Sequence, residues 1–149
     1  MNPASETGTI IEEIAIQAPA ERIFQALTDP AQRVQWWGAE GRFQTTTMES
    51  DLRPGGKWFM RGNGVGGRPF TIKGEYLQIE APRLLVFTWL PDWQPDAIET
   101  LVRFDLTEKD GVTVVRLTHS GLATESARTS HKGWPQILTW LQRYCARQI

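Results

Sequence analysis

The spacing of apolar and polar positions changes period along this chain and divides it into three stretches. Gly8 to Gln17 reads GTIIEEIAIQ, Ile-rich and extended in preference, and predicts a first strand. Pro19 opens PAERIFQALTD, which sets Ile23, Phe24 and Leu27 on one helical face. Proline suits a first helical turn because its missing N–H has no partner there in any case. Asp29-Pro30 ends that helix, since the residue before a proline is driven out of the α region. Ala31 to Trp37 (AQRVQWW) predicts a second short helix closed by Gly38.

From Phe43 the pattern becomes one of strands separated by turns: FQTTTMESDL, then KWFMR after Pro54-Gly55-Gly56, then FTIKGEYLQI after a flexible loop at Gly62 to Pro69. Ala81-Pro82-Arg83 turns into LLVFTW, Pro91 to Pro95 form another loop, and TLVRFDL pairs with VTVVRLTH across Glu108-Lys109-Asp110-Gly111. Asp-Gly between two alternating runs is a strong hairpin signal. The last stretch returns to helical spacing. Trp134, Ile137, Leu138, Leu141, Tyr144 and Cys145 form an apolar stripe, opposite Gln136, Thr139, Gln142, Arg143 and Arg147. Pro135 belongs near the first turn of this helix, or else kinks one that starts near Glu125. No helix separates the later strands, so the expected class is α+β: an antiparallel sheet of six to seven strands, two short helices after the first strand, and a long C-terminal helix on one side.

Period two assigns the strand faces. Trp58 and Met60, then Phe70, Ile72, Gly74 and Tyr76, then Leu85, Phe87 and Trp89, then Val102, Phe104 and Leu106, and finally Val115, Leu117 and His119 share the face that meets the C-terminal helix. Gly74 in mid-strand marks a bend in the sheet or a ligand's close approach. With Trp134, Leu138 and Leu141 on the covering helix, this is the pattern of an aromatic-lined pocket; a fully packed core has the same pattern.

Composition narrows the function classes. The 149 residues fit one domain, expected over 9–149 behind a disordered tail at 1–8. Sixteen Lys and Arg against seventeen Asp and Glu leave a net charge of −1, too little basic excess for nucleic-acid binding. No apolar run approaches the ~20 residues that cross a bilayer. MNPASETG has neither a charged n-region nor an apolar h-region, so no secretory signal and a cytoplasmic location are expected. One cysteine, Cys145, allows no internal disulfide. The unusual component is tryptophan, with seven: Trp36, Trp37, Trp58, Trp89, Trp93, Trp134 and Trp140.

Several motifs together resemble one family. APAERIFQALTDP after the opening strand, SDLRPGGKW, GEYLQIEAPRLLVFTW, DGVTVVRLTHSG and HKGWPQILTWL are similar, in order and over roughly 10–144, to the activator-of-Hsp90-ATPase-like branch of the START/SRPBCC superfamily. The resemblance implies a helix-grip fold, a curved sheet wrapped around a C-terminal helix with a cavity between them. Relatives use that cavity for lipids, hormones, or polyketide and aromatic substrates. Arg53-Pro54-Gly55-Gly56 corresponds to the family's turn and Gly133-Trp134 to its closing helix; neither is a catalytic signature.

The chemical candidates are few. Gly62-Asn63-Gly64-Val65-Gly66-Gly67 satisfies G-x-G-x-x-G, but Arg68-Pro69 and a strand follow where a phosphate site needs a helix N-terminus, so a hairpin loop is expected. His119 ends an inward stripe, where it is either a hydrogen-bonded structural histidine or a ligand-orienting or acid–base group. Glu12 shares parity with Ile10, Ile14 and Ile16 and is the second acid–base candidate, against a solvated edge position. His119, His131 and Cys145 have no metal-ligand spacing, so no metal is expected, and no motif calls for a cofactor. The leading expectation is a small hydrophobic or aromatic ligand held by Trp58, Met60, Phe70, Tyr76, Phe87, Trp89, Phe104, His119, Trp134, Leu138 and Leu141. Trp36, Trp37 and Trp93 are expected at the rim. The alternatives are a cyclase- or dehydratase-like enzyme using His119 and Glu12, and an interaction module whose partner is a chaperone or another protein. A monomer or weak homodimer is expected.

Overall fold

The computed structural model describes residues 8–39, 42–93 and 97–146; the tail expected at 1–8 lies outside them except for Gly8. Strand β1 (Thr9–Ile16) leads into helices α1 (Ala20–Thr28) and α2 (Pro30–Trp36). Asp29 sits between the two helices, and its carboxylate accepts the Ala31 N–H at 3.1 Å to cap α2, with Pro30 in the first turn. Strands β2 (Gln44–Ser50), β3 (Lys57–Asn63), β4 (Pro69–Glu80), β5 (Leu84–Pro91), β6 (Thr100–Lys109) and β7 (Val112–Ser120) follow. They form one antiparallel sheet in the order β1-β7-β6-β5-β4-β3-β2.

Local chemistry fixes these pairings. Asp110 and Gly111 both take positive φ, 54° and 79°, the conformation of a two-residue turn whose twist suits a hairpin. The G-x-G-x-x-G run forms the end of β3 and a 3-10 turn at Val65–Gly67 before β4, so it is a hairpin connection as expected. Gly74 is the bend: a Cβ there would collide with the Thr88 carbonyl oxygen and the Trp58 indole nitrogen. The β4–β5 register shifts just beyond, between Tyr76 and Gln78. Protein atoms fill the space beside Gly74, so it admits no ligand.

Of the two placements open to Pro135, the structure has the first: the C-terminal helix α4 (Trp134–Ala146) starts beside it, and a separate short helix α3 (Glu125–Ser130) precedes it. An unbroken helix would need the Pro135 N–H for the His131 carbonyl, and proline has none. Helix α4 packs chiefly on β1 and α1, while α2 packs on β2 at the opposite edge of the sheet. Gln142 donates to the Ala15 carbonyl at 2.9 Å and ties α4 to that first edge. The sheet-helix interface is therefore closed on the β1 side and less covered towards β2, β3 and β4.

Candidate functional site

The closed part is a packed core. Trp58, Met60, Tyr76, Phe87, Phe104, Leu138 and Leu141 are all buried against one another. Phe87 stacks on Phe104 with ring centroids 6.1 Å apart, and Trp58 meets Phe87 edge-on at 5.4 Å. None of these seven borders the main cavity. Their assignment as ligand contacts is thus corrected: they fill the interior themselves.

The open part is a cleft of about 460 Å³ between the start of α4 and the ends of β3, β4 and β5. Of the expected contacts it includes Phe70, Trp89 and Trp134, with Trp93 at its mouth, 42% exposed and 6.2 Å from the Phe70 ring. Trp37, Phe43, Ile72, Ile137 and Trp140 complete the apolar wall, and Arg42, Arg68, Gln136 and His131 supply the polar side chains. Five of the seven tryptophans border this one space. The helical spacing held a signal for α4's share. Residues 133, 136, 137 and 140 form one face turned to the cleft, beside the buried face of Trp134, Leu138, Leu141 and Cys145.

The rim assignment is corrected for two residues. Trp36 and Trp37 are 3% and 2% exposed. Adjacent positions at a helix end point in directions about 100° apart, so the pair divides. Trp36 donates its indole N–H to the Ala26 carbonyl of α1 at 2.8 Å. Trp37 turns inward, meets Trp134 edge-on at 5.7 Å, and carries the Arg33 guanidinium 4.1 Å from its ring centroid. Arg33 is itself buried, donates to the Leu27 carbonyl and leaves its Nε without a partner. Burial draws its pKa down to about 10, against a smaller opposing pull from Tyr76.

At the cleft floor two tryptophan–histidine pairs interlock. Trp134 donates its indole N–H to His119 Nδ1 at 3.0 Å, so that nitrogen is an acceptor. The His119 proton then sits on Nε2 and is donated to Thr100 Oγ1 at 2.7 Å; the Thr100 hydroxyl donates onward to the Trp89 carbonyl at 3.2 Å. Trp89 donates to His131 Nε2 at 3.0 Å, which places the His131 proton on Nδ1, facing the Ala127 carbonyl at 2.7 Å. The two imidazoles lie 4.8 Å apart, nearly perpendicular.

Burial, reinforced by His131, pushes the His119 pKa down to about 3; burial also lowers that of His131, against the pull of its bond to Ala127. Both rings are neutral at ordinary pH. His119 has both nitrogens bonded within the protein and does not border the cleft, which corrects its assignment as a ligand-orienting or acid–base group. The histidine pair fastens the start of α4 to β5, β6 and β7.

Glu12 lies opposite Leu117 on the edge strand β1, half-buried and outside the cleft. Cys145 is buried on the core face of α4, and burial raises its thiol pKa to about 11. Among the described residues no group of three His, Cys, Asp or Glu side chains gathers as metal ligands, and no helix is long and apolar enough to cross a membrane.

A curved antiparallel sheet closed by a C-terminal helix, with a cavity at their junction, defines the helix-grip class. Within that class, residues 17–146 match the model of the family described as Activator of Hsp90 ATPase homolog 1-like protein, and the chain belongs to this family. A solved protein of Chromobacterium violaceum is similar in fold, with TM-score 0.83 and 22% identity over 94% of this chain and 98% of that one. A protein of Mycobacterium smegmatis gives TM-score 0.81 and 21% identity over 97% of this chain and 91% of that one. A protein of the dynemicin biosynthetic locus gives TM-score 0.70 and 21% identity over 92% of this chain and 46% of its own length. No curated protein matches the sequence.

Proposed function

We propose that this protein binds a small, largely apolar or aromatic molecule in the cleft between α4 and the β3–β5 ends. The observation that carries the reading is the gathering of Trp37, Trp89, Trp93, Trp134 and Trp140 around one space of about 460 Å³. That volume lies within the roughly 300–1,000 Å³ of ordinary small-molecule sites, and aromatic walls with few polar groups are their usual lining. Affinity comes from removing apolar area from water at ~25 cal/mol per Å², less the loss of ligand freedom. The interlocked tryptophan–histidine floor holds two of the five indoles in place before a ligand arrives, which lowers the ordering penalty.

Native mass spectrometry of the protein purified from its own source tests the reading. The expected result is a small-molecule adduct that survives gentle ionisation and is released on denaturation. Only the bare mass, together with an organic extract that contains no protein-dependent compound, overturns it.

A further inference from the structure

The polar groups of the cleft have one sign. Among the described residues its side chains include two arginines, Arg42 and Arg68, and no carboxylate. Both are exposed and reach the cleft from the connections on either side of it, Arg42 before β2 and Arg68 between β3 and β4. Among the described residues neither is in an ion pair; the ion-paired arginines are Arg53, Arg83, Arg103 and Arg116. A third guanidinium, Arg33, is buried against the ring of the wall residue Trp37 and has no carboxylate partner among the described residues. The chain as a whole carries a net charge of −1, so this is a local field and not a reflection of overall composition.

A cavity with aromatic walls and cations at its mouth complements one kind of molecule. A neutral aromatic leaves the arginines in water and gains nothing from them. An apolar body ending in a carboxylate, sulfonate or phosphate places its anion where two guanidinium forks can take it while its body displaces water from the indoles. A cation is repelled.

We infer that the cleft selects an anionic amphiphile, an aromatic or apolar acid bound with its body among the tryptophans and its anionic group at Arg42 and Arg68. This inference rests on the cleft being a ligand site and adds the charge of the ligand. Gln136, also on the lining, offers an amide to the same polar end. With two guanidinium groups and no carboxylate among the described lining residues, the selection is one of sign: an amine of the same shape is disfavoured by charge.

The test is calorimetric titration of the full chain with naphthylacetic acid and, in parallel, its uncharged isostere naphthylacetamide. The acid is expected to bind about tenfold more tightly than the amide. That preference shrinks with added salt, because exposed charges are screened over about a Debye length. In the Arg42→Gln, Arg68→Gln double variant the acid/amide ratio falls towards one, while an unchanged thermal unfolding midpoint shows that the fold is intact. Equal binding of acid and amide by the unaltered chain overturns the anion selectivity and leaves the cavity reading standing. Binding of neither compound overturns both.

Discussion

Two halves of one interface, built from the same kinds of residue, behave in opposite ways. In the interior beneath α4, Phe87, Phe104, Tyr76, Leu138 and Leu141 are buried together in one packed cluster. Around the start of α4 and the connections next to β4 and β5, Trp37, Trp89, Trp134 and Trp140 border a cleft instead. Aromatic content does not distinguish the halves. Position does: the cleft residues lie beside the break between α3 and α4 at Pro135 and the connections around β4 and β5, and the packed residues lie deeper under α4. An aromatic cluster becomes a site only where nothing on the chain comes to cover it.

The comparison can be broken most severely in the packed half. Gly74→Ala drives a methyl group into the Thr88 carbonyl and the Trp58 indole, and Phe104→Ala empties a fully buried position. Each is expected to lower stability by about 3–5 kcal/mol in urea unfolding. By contrast Trp140→Ala, on a half-buried cleft wall, is expected to lower stability by about 1 kcal/mol but to weaken ligand binding clearly. Equal destabilisation by Phe104→Ala and Trp140→Ala would erase the distinction between the halves.

The histidine pair at the boundary adds a pH signature of intermediate size. His119 has its folded pKa lowered from 6.5 to about 3, so between those values the unfolded chain takes up a proton that the folded chain refuses. Its contribution is complete above about pH 6.5 and is lost as pH falls towards 3, with a slope of up to roughly 1.4 kcal/mol per pH unit. His131 acts in the same direction. His119→Gln keeps an acceptor for Trp134 and a donor for Thr100 but cannot titrate. Urea unfolding from pH 7 to 4 should therefore be less pH-dependent in the variant; identical slopes would contradict the buried neutral ring.

At the mouth the expected effects on stability are smallest. Trp93→Ala removes a partly exposed ring and is expected to change stability by less than about 0.5 kcal/mol while weakening ligand affinity a few-fold. A large loss of stability in thermal unfolding would mean that Trp93 belongs to the core.

The fold was largely legible because each element has a local cause. Asp110-Gly111 demanded a tight hairpin, Pro19 and Asp29-Pro30 punctuated the helices, and the alternation through Trp58, Met60, Phe87 and Phe104 gave the inward face. The site was legible only in part. Alternation says which side of a strand faces the helix, but not how far away the helix is, so Phe87 and Trp89 looked alike although only the second borders the cleft. Trp36 and Trp37 looked like a surface pair until the α1 carbonyl and the Arg33 guanidinium gave each a buried partner. Arg42, Phe43 and Arg68 lie in or beside connections, where no periodicity marks a residue's direction.

The central claim is that one particular set of indoles surrounds a ligand site. Each indole N–H gives its own signal in a proton–nitrogen correlation spectrum, so titrating the labelled chain with naphthylacetic acid reads the seven tryptophans separately. The signals of Trp37, Trp89, Trp93, Trp134 and Trp140 are predicted to move together and saturably, while those of Trp36 and Trp58 stay in place. Shifts centred on Trp36 and Trp58, or spread evenly over all seven, would contradict it.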